Sequence, residues 1–220
     1  MKNEGLPPAQ GLYDPQNEHD ACGVGFIVNM KGKKSHAIVH DALKVLVNLL
    51  HRGACGCESN TGDGAGILIQ LPHAFFKREW PKVNKEVQLP EPGHYGVGMV
   101  FLPPEISQRQ RCMEILEQAV RDEGQSVLGW RCLPQNNESL GQTAKDVEPD
   151  IYQFFVGRSA NISGDDAFER KLFLIRKRAE HAVRSSDMQN KKFFYMPSFS
   201  CRTIIYKGML IADQMEPFFP

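Results

Sequence analysis

Asp20-Ala21-Cys22-Gly23-Val24-Gly25-Phe26-Ile27-Val28 is the stretch from which the rest of the chain is read. Upstream of it, residues 1–21 are polar and carry Pro7, Pro8, Gly11 and Pro15, a composition that predicts an irregular extension outside any core. Downstream the texture changes at once. Residues 23–29 are apolar and β-prone and predict a largely buried strand, with Lys31-Gly32-Lys33 as the turn that closes it. Cys22 stands at the junction and has two readings. It is either a small buried residue that opens the strand, or a nucleophile. The second reading has a specific chemistry. A thiol at the very N-terminus can use its own α-amine as base, because that amine titrates near ~8, close to neutrality. The chain would then have to be cut after Ala21.

Composition narrows the function classes. The 220 residues are 41% hydrophobic, enough for one large domain or two small ones. Lys plus Arg and Asp plus Glu balance at 26 each, so no basic field is available for a nucleic-acid backbone. No run approaches the ~18 apolar residues of a membrane-spanning helix, and residues 1–21 contain neither an apolar signal core nor an arginine-rich amphipathic pattern. A soluble, cytoplasmic protein is expected by default. The cysteines are Cys22, Cys55, Cys57, Cys112, Cys132 and Cys201, too sparse for a disulfide scaffold, so each is a thiol that packs, ligates or reacts.

Periodicity then supplies the elements. Val39, Ala42, Leu43, Leu46, Val47 and Leu50 form one apolar stripe and predict a helix over 38–50, ended by Gly53, with His51 and Arg52 in its last turn. Asn60-Thr61-Gly62-Asp63-Gly64-Ala65-Gly66 leads into the strand-like Ile67-Leu68-Ile69-Gln70. A phosphate-binding loop needs its glycines to open a helix, so a loop in close approach to another segment or a small ligand is the better reading. Strands are predicted over 94–102, 126–133 and 151–156, and helices from 104 or 105 to 123 and from the Gly164-Asp165-Asp166 cap to Val183. Residues 135–148 read as an exposed excursion, and 193–196 with 200–206 as a last strand pair or one bent strand, followed by a turn at Lys207-Gly208. Phe218-Phe219 call for burial by something else. This order favours a layered α/β or α+β domain.

Four blocks carry a resemblance: Gly11-Leu12-Tyr13-Asp14-Pro15 with His19-Asp20-Ala21-Cys22-Gly23-Val24-Gly25-Phe26; Leu50-His51-Arg52-Gly53-Ala54; Asn60-Thr61-Gly62-Asp63-Gly64-Ala65-Gly66-Ile67; and Ser200-Cys201-Arg202-Thr203-Ile204-Ile205-Tyr206-Lys207-Gly208. In this order they resemble the start of the glutamate synthase large chain, over nearly the whole sequence. The resemblance implies a class II glutamine amidotransferase domain over 22–220, of the N-terminal-nucleophile type. Its fold would be α+β, a four-layer αββα sandwich, preceded by a propeptide at 1–21. Cys22 would hydrolyse the side-chain amide of L-glutamine through a γ-glutamyl thioester. Ammonia would pass to 2-oxoglutarate in downstream synthase domains of the same chain, where FMN, an iron–sulfur cluster and an electron-donor subunit act; no cofactor is implied within these residues.

By the same resemblance Arg52 lies beside the nucleophile and orders the glutamine pocket, against the plain reading of a helix C-terminal charge. Asp63, Gly64 and Gly66 shape that neighbourhood, with a turn role ahead of direct contact with the ligand. Arg202 reads as a paired surface group. The family's later blocks, an arginine and threonine that grip glutamine and an Asn-Gly pair that forms the oxyanion hole, do not occur in these residues. The implied fold is therefore incomplete at its C-terminal end, and a segment lacking those donors is expected to be nearly inactive. The alternative is a catalytically silent structural or interaction module, or an unprocessed precursor. Cys55-Gly56-Cys57 lacks the spacing of a metal site and reads as core or loop thiols; Cys112 and Cys132 read as packing residues.

Overall fold

Alternation along one central strand sets the architecture. In β2 (Tyr95–Leu102) the side chains of Tyr95, Val97 and Met99 enter one core and those of Val100 and Leu102 enter another, the period-2 pattern of a strand buried on both faces. The computed structural model describes residues 8–11, 14, 23–50 and 58–220. Around β2 lies a four-stranded antiparallel sheet in the order β3-β4-β2-β5, formed with β3 (Ser126–Cys132), β4 (Asp150–Gly157) and β5 (Tyr195–Ser200). A separate antiparallel pair joins β1 (Ala65–Gln70) to β6 (Thr203–Gly208), with Ala65 opposite Gly208 and Gln70 opposite Thr203.

One face of the larger sheet is covered by α3 (Ile106–Asp122) and α5 (Asp165–Arg184). Along α5 the buried residues Phe168, Leu172, Ile175, Ala179 and Val183 recur every three or four positions, so they form a single stripe that faces the sheet. Both helices start on signals present in the sequence. The Glu105 carboxylate accepts the Ser107 and Gln108 N–H groups at the start of α3, and Asp165 and Asp166 occupy the positive first turn of α5.

The other face meets the β1–β6 pair across a second core that includes Val97, Met99, Ile151, Phe155 and Ile204. α2 (His73–Glu79) and the short helical turn Trp80–Lys82 close one side of it, where Phe76 and Trp80 meet the Phe155 ring edge-on at 5.2 and 5.0 Å. α1 (His36–Asn48) packs against β1 and lays Leu43 and Leu46 on this core. Two single-turn helices, α4 (Gln142–Lys145) and α6 (Met215–Phe218), add Ala144, Met215 and Phe218 to it. Among the described residues no helix is long and apolar enough to cross a membrane.

Several expectations need correction. Residues 23–29 belong to no strand, and Val24, Phe26 and Val28 are exposed, Phe26 to 88%. Their β-propensity expresses a fit to a pleated, half-buried surface, and no ladder partner is present among the described residues. The excursion 135–148 is not wholly exposed, because Leu140 and Ala144 are buried. The last two strands are not paired with each other: β5 belongs to the larger sheet and β6 to the smaller, and Lys207 and Gly208 extend β6 where a turn was expected. Phe218 and Phe219 are covered by this chain itself, Phe218 in the second core and Phe219 edge-on to Tyr206 at 5.4 Å. Cys132 is exposed, whereas Cys112 is buried as expected.

Candidate functional site

Cys22 and Arg52 lie outside the described residues, as do His51, Cys55, Cys57 and most of the leader. Their immediate surroundings are described. Gly25, three residues after Cys22, lies so close to α1 that a Cβ there would overlap Val45 Cγ1. α1 in turn points its C-terminal end toward Arg52 in sequence, and it also packs against the short helical turn Ala212–Gln214. The segment after the candidate nucleophile and the helix before the candidate pocket arginine are therefore neighbours.

Asp63 and Gly64 sit together on the loop that precedes β1, both exposed, with Gly64 at φ +137°, a conformation that side chains disfavour. The loop is fastened on its inner side. Thr61 is buried and its hydroxyl donates to Glu58 Oε2 at 2.7 Å; the same oxygen accepts the Thr143 N–H at 3.1 Å. The Thr61 hydroxyl, followed by the Thr143 N–H, holds the Glu58 carboxyl below its ordinary value. The carbonyl of Asn60 accepts from the Gly141 N–H at 3.1 Å and from Gln214 Nε2 at 3.0 Å. Gly141 is the only residue type that fits its place, since a Cβ there would overlap Thr61 Oγ1 and Glu58 Oε2.

Glu58, Gly141 and Gln214 escaped the reading of the sequence. Their ties join positions 85 and 154 residues apart for Thr143–Glu58 and Gln214–Asn60, beyond the reach of any local pattern. No local signal marked Gln214, which stands between Asp213 and Met215 in a stretch of mixed polarity. Arg202 takes its expected surface role, with Nη2 2.6 Å from Asp166 Oδ1.

Two described cysteines are poor nucleophiles. Burial pushes the Cys112 thiol up to about 11, and burial together with Glu169 pushes Cys201 up to about 12. Among the described residues no group of three or more His, Cys, Asp or Glu side chains is placed to hold a metal ion. Two hollows are formed by described residues. One, of about 450 Å³, is lined by His73, Tyr95 and Arg202 among others, and an apolar one of about 220 Å³ by Phe101, Leu140, Tyr195 and Phe218 among others. Neither is lined by Asp63 or Gly64.

Comparison with known proteins assigns the family. The glutamate synthase (NADPH) large chain of Bacillus subtilis is 43% identical over 214 residues, 97% of this chain and 14% of that one. The glutamate synthase (NADH) of Schizosaccharomyces pombe is 39% identical over 219 residues, 97% of this chain and 10% of its own. The ferredoxin-dependent glutamate synthase 2 of Synechocystis is 40% identical over 202 residues, 92% of this chain and 12% of that one. This chain thus spans a small part of the length of these relatives. The family model for class-II glutamine amidotransferases matches residues 22–220, starting on Cys22 itself. The chain belongs to the class-II glutamine amidotransferases.

Proposed function

We propose that the chain is the glutaminase portion of a glutamate synthase, with Cys22 as the nucleophile of a mature chain that starts there. The observation that carries the reading is the family match, which begins on Cys22 and runs to residue 220, joined to relatives that are glutamate synthases. Residues 1–21 are then a leader whose removal frees the Cys22 α-amine. While Ala21 is attached, that nitrogen is an amide without a usable lone pair; once freed, it titrates near ~8 and can accept the thiol proton.

The reaction balances with residues and water alone. Cys22 Sγ bonds to the side-chain carbonyl carbon of L-glutamine as its proton passes to the α-amine. The same proton is returned to the departing nitrogen, ammonia leaves, and a γ-glutamyl thioester remains. Water, deprotonated by the amine, then cleaves the thioester to give glutamate and the free thiol. Arg52 orders the glutamine, and the Asp63–Gly64 turn forms the adjoining wall.

The architecture is read as the four-layer αββα sandwich of N-terminal-nucleophile hydrolases. In support, α3 and α5, the larger sheet, the β1–β6 pair and α1 follow one another across the two cores. Ammonia delivery to 2-oxoglutarate, FMN, the iron–sulfur cluster and the electron donor belong in this reading to the part of the protein that the relatives have beyond the matched segment. A cytoplasmic location is proposed with it.

The test is ammonia release from L-glutamine by the full-length protein. Release is expected from the wild type and is expected to vanish in Cys22→Ala. Undiminished release in Cys22→Ala would overturn the assignment of the nucleophile.

A further inference from the structure

We propose that Gln214 is a positioning residue for the glutamine pocket, acting through the carbonyl of Asn60 to fix the loop that carries Asp63 and Gly64. This deepens the function proposed above and rests on it. Gln214 is 4% exposed, and both N–H donors and the carbonyl oxygen of its amide are engaged. Nε2 donates to Asn60 O at 3.0 Å and to Ser139 O at 2.7 Å, while Oε1 accepts the Ile211 N–H at 3.0 Å. One planar group therefore joins three segments: the 58–64 loop, the 139–143 segment and the turn Ala212–Gln214 that packs on α1.

The chemistry requires an amide at this place. Two carbonyl oxygens converge on one nitrogen, so a carboxylate would repel them and a thioether would take this donor from both, leaving Asn60 O with the Gly141 N–H alone. The 58–64 loop would then be tied to the 139–143 segment by fewer bonds, and it lifts more readily as these carbonyls exchange the lost donor for water. Asn60 is three residues before Asp63, so a lifted carbonyl moves the pocket wall directly. The Oε1 arm has a different job, because it only caps the local turn at Ile211.

Gln125 provides a matched control. It is also buried, donates from Nε2 to Glu123 O and Ser159 Oγ, and accepts the Ser159 N–H, but it fastens the turn after α3 to the end of β4 and touches no part of the 58–64 loop. A substitution there removes the same kind of bonds at a distance from the site.

The experiment uses the full-length protein as wild type, Gln214→Met and Gln125→Met. A diazo-oxo-norleucine-type glutamine analogue measures recognition at Cys22, iodoacetamide measures intrinsic thiol reactivity there, and hydrogen exchange measures opening of 58–64. Gln214→Met is expected to raise the half-saturating concentration of the analogue roughly thirtyfold, and to speed exchange of 58–64 by a similar factor, the loss of about two neutral hydrogen bonds. Iodoacetamide alkylation should not change. Gln125→Met should leave all of these at wild-type values. Equal shifts in both variants, or an unchanged analogue affinity in Gln214→Met, would overturn the proposal by showing a merely structural role. Absence of analogue labelling in the wild type would overturn the glutamine-pocket reading itself, and this inference with it. Should Gln214→Met fail to fold, Gln214→Glu keeps the length and the acceptor for Ile211 but presents no donor at neutral pH; weakened affinity there supports the proposal and wild-type affinity overturns it.

Discussion

Replacing Gly141 by alanine tests the fastening of the Asp63 loop through the sign of the effect. Gly141 has φ −68° and ψ 160°, a conformation open to any residue, so alanine meets no backbone strain. By itself the change should stabilise the protein by about 0.4–1 kcal/mol, because alanine has fewer unfolded conformations to lose. The surroundings oppose this. A Cβ at this position would overlap Thr61 Oγ1 and Glu58 Oε2 and stand 2.8 Å from Asn60 Oδ1. Thr61 is buried and cannot simply turn to solvent, so the loop must shift and give up its bonds to Glu58 at 2.7 and 3.1 Å. Two net hydrogen bonds at about 1 kcal/mol each, with about 1–3 kcal/mol of overpacking set against the entropic gain of about 0.4–1, leave Gly141→Ala destabilised by about 2–5 kcal/mol. Urea unfolding supplies the total, and hydrogen exchange places it: 58–64 should exchange faster through local opening, while β2, which opens with the whole molecule, should lose no more protection than that total. A variant as stable as the wild type, or more stable, would refute the description of this contact.

Other consequences follow from named groups. Gln153 is fully buried between the sheets, accepts from Arg131 Nη1 at 3.0 Å and donates to Tyr206 Oη at 2.9 Å, so Gln153→Leu should cost about 1–3 kcal/mol in urea unfolding. Much of that loss should return in Gln153→Leu with Tyr206→Phe, where the tyrosine hydroxyl no longer lacks its partner. The Glu58 carboxyl titrates below its ordinary value of 4.5 when folded, so its contribution is complete above that pH and is lost as pH falls through the lower, folded value. Protection of 58–64 against exchange, corrected for intrinsic rates, should be level from neutrality to about 5 and decline in more acid solution, and Glu58→Gln should remove that decline. A maleimide at pH 8 should modify Cys132 and spare Cys112 and Cys201 in the folded protein, as peptide mapping would show, because the latter two are buried with thiols raised to about 11 and about 12. Rapid modification of Cys201 would contradict its placement beside Glu169.

Local patterns made much of this fold legible. The apolar stripes of α3 and α5, their acidic starts and the alternation along β2 are written within single segments, where periodicity acts. What periodicity cannot express is pairing between distant segments. Residues 193–196 and 200–206 read as a strand pair or one bent strand, yet Cys201-Arg202 is where the chain leaves the larger sheet for the smaller one. Leu140 and Ala144 look isolated in a polar stretch, and only their place beside Phe218 and Leu210 explains their burial. Phe218 and Phe219 likewise find their cover on β6 and the second core, far away in sequence from the elements that read as core.

The candidate site divides along the same line. The glycines of the 60–66 loop announced a close backbone approach, and Gly62 meets Leu210 and Ile211 while Gly66 meets Tyr206 and Lys207. The run 23–29 shows the opposite case. Its composition is that of a strand, but a strand exists through its ladder, and in this structure the segment rests against α1 at Gly25 without one. Cys22 was marked by its position between a polar leader and that run, which is a property of sequence alone.

The central claim, that Cys22 acts with its own α-amine, is tested most directly by intact-mass and peptide mapping of the full-length protein after treatment with the diazo-oxo-norleucine-type analogue. The account predicts a chain that begins at Cys22 and carries one adduct, on the Cys22 sulfur. An adduct on another residue, or an adduct on Cys22 in a chain that still retains Ala21, would contradict it.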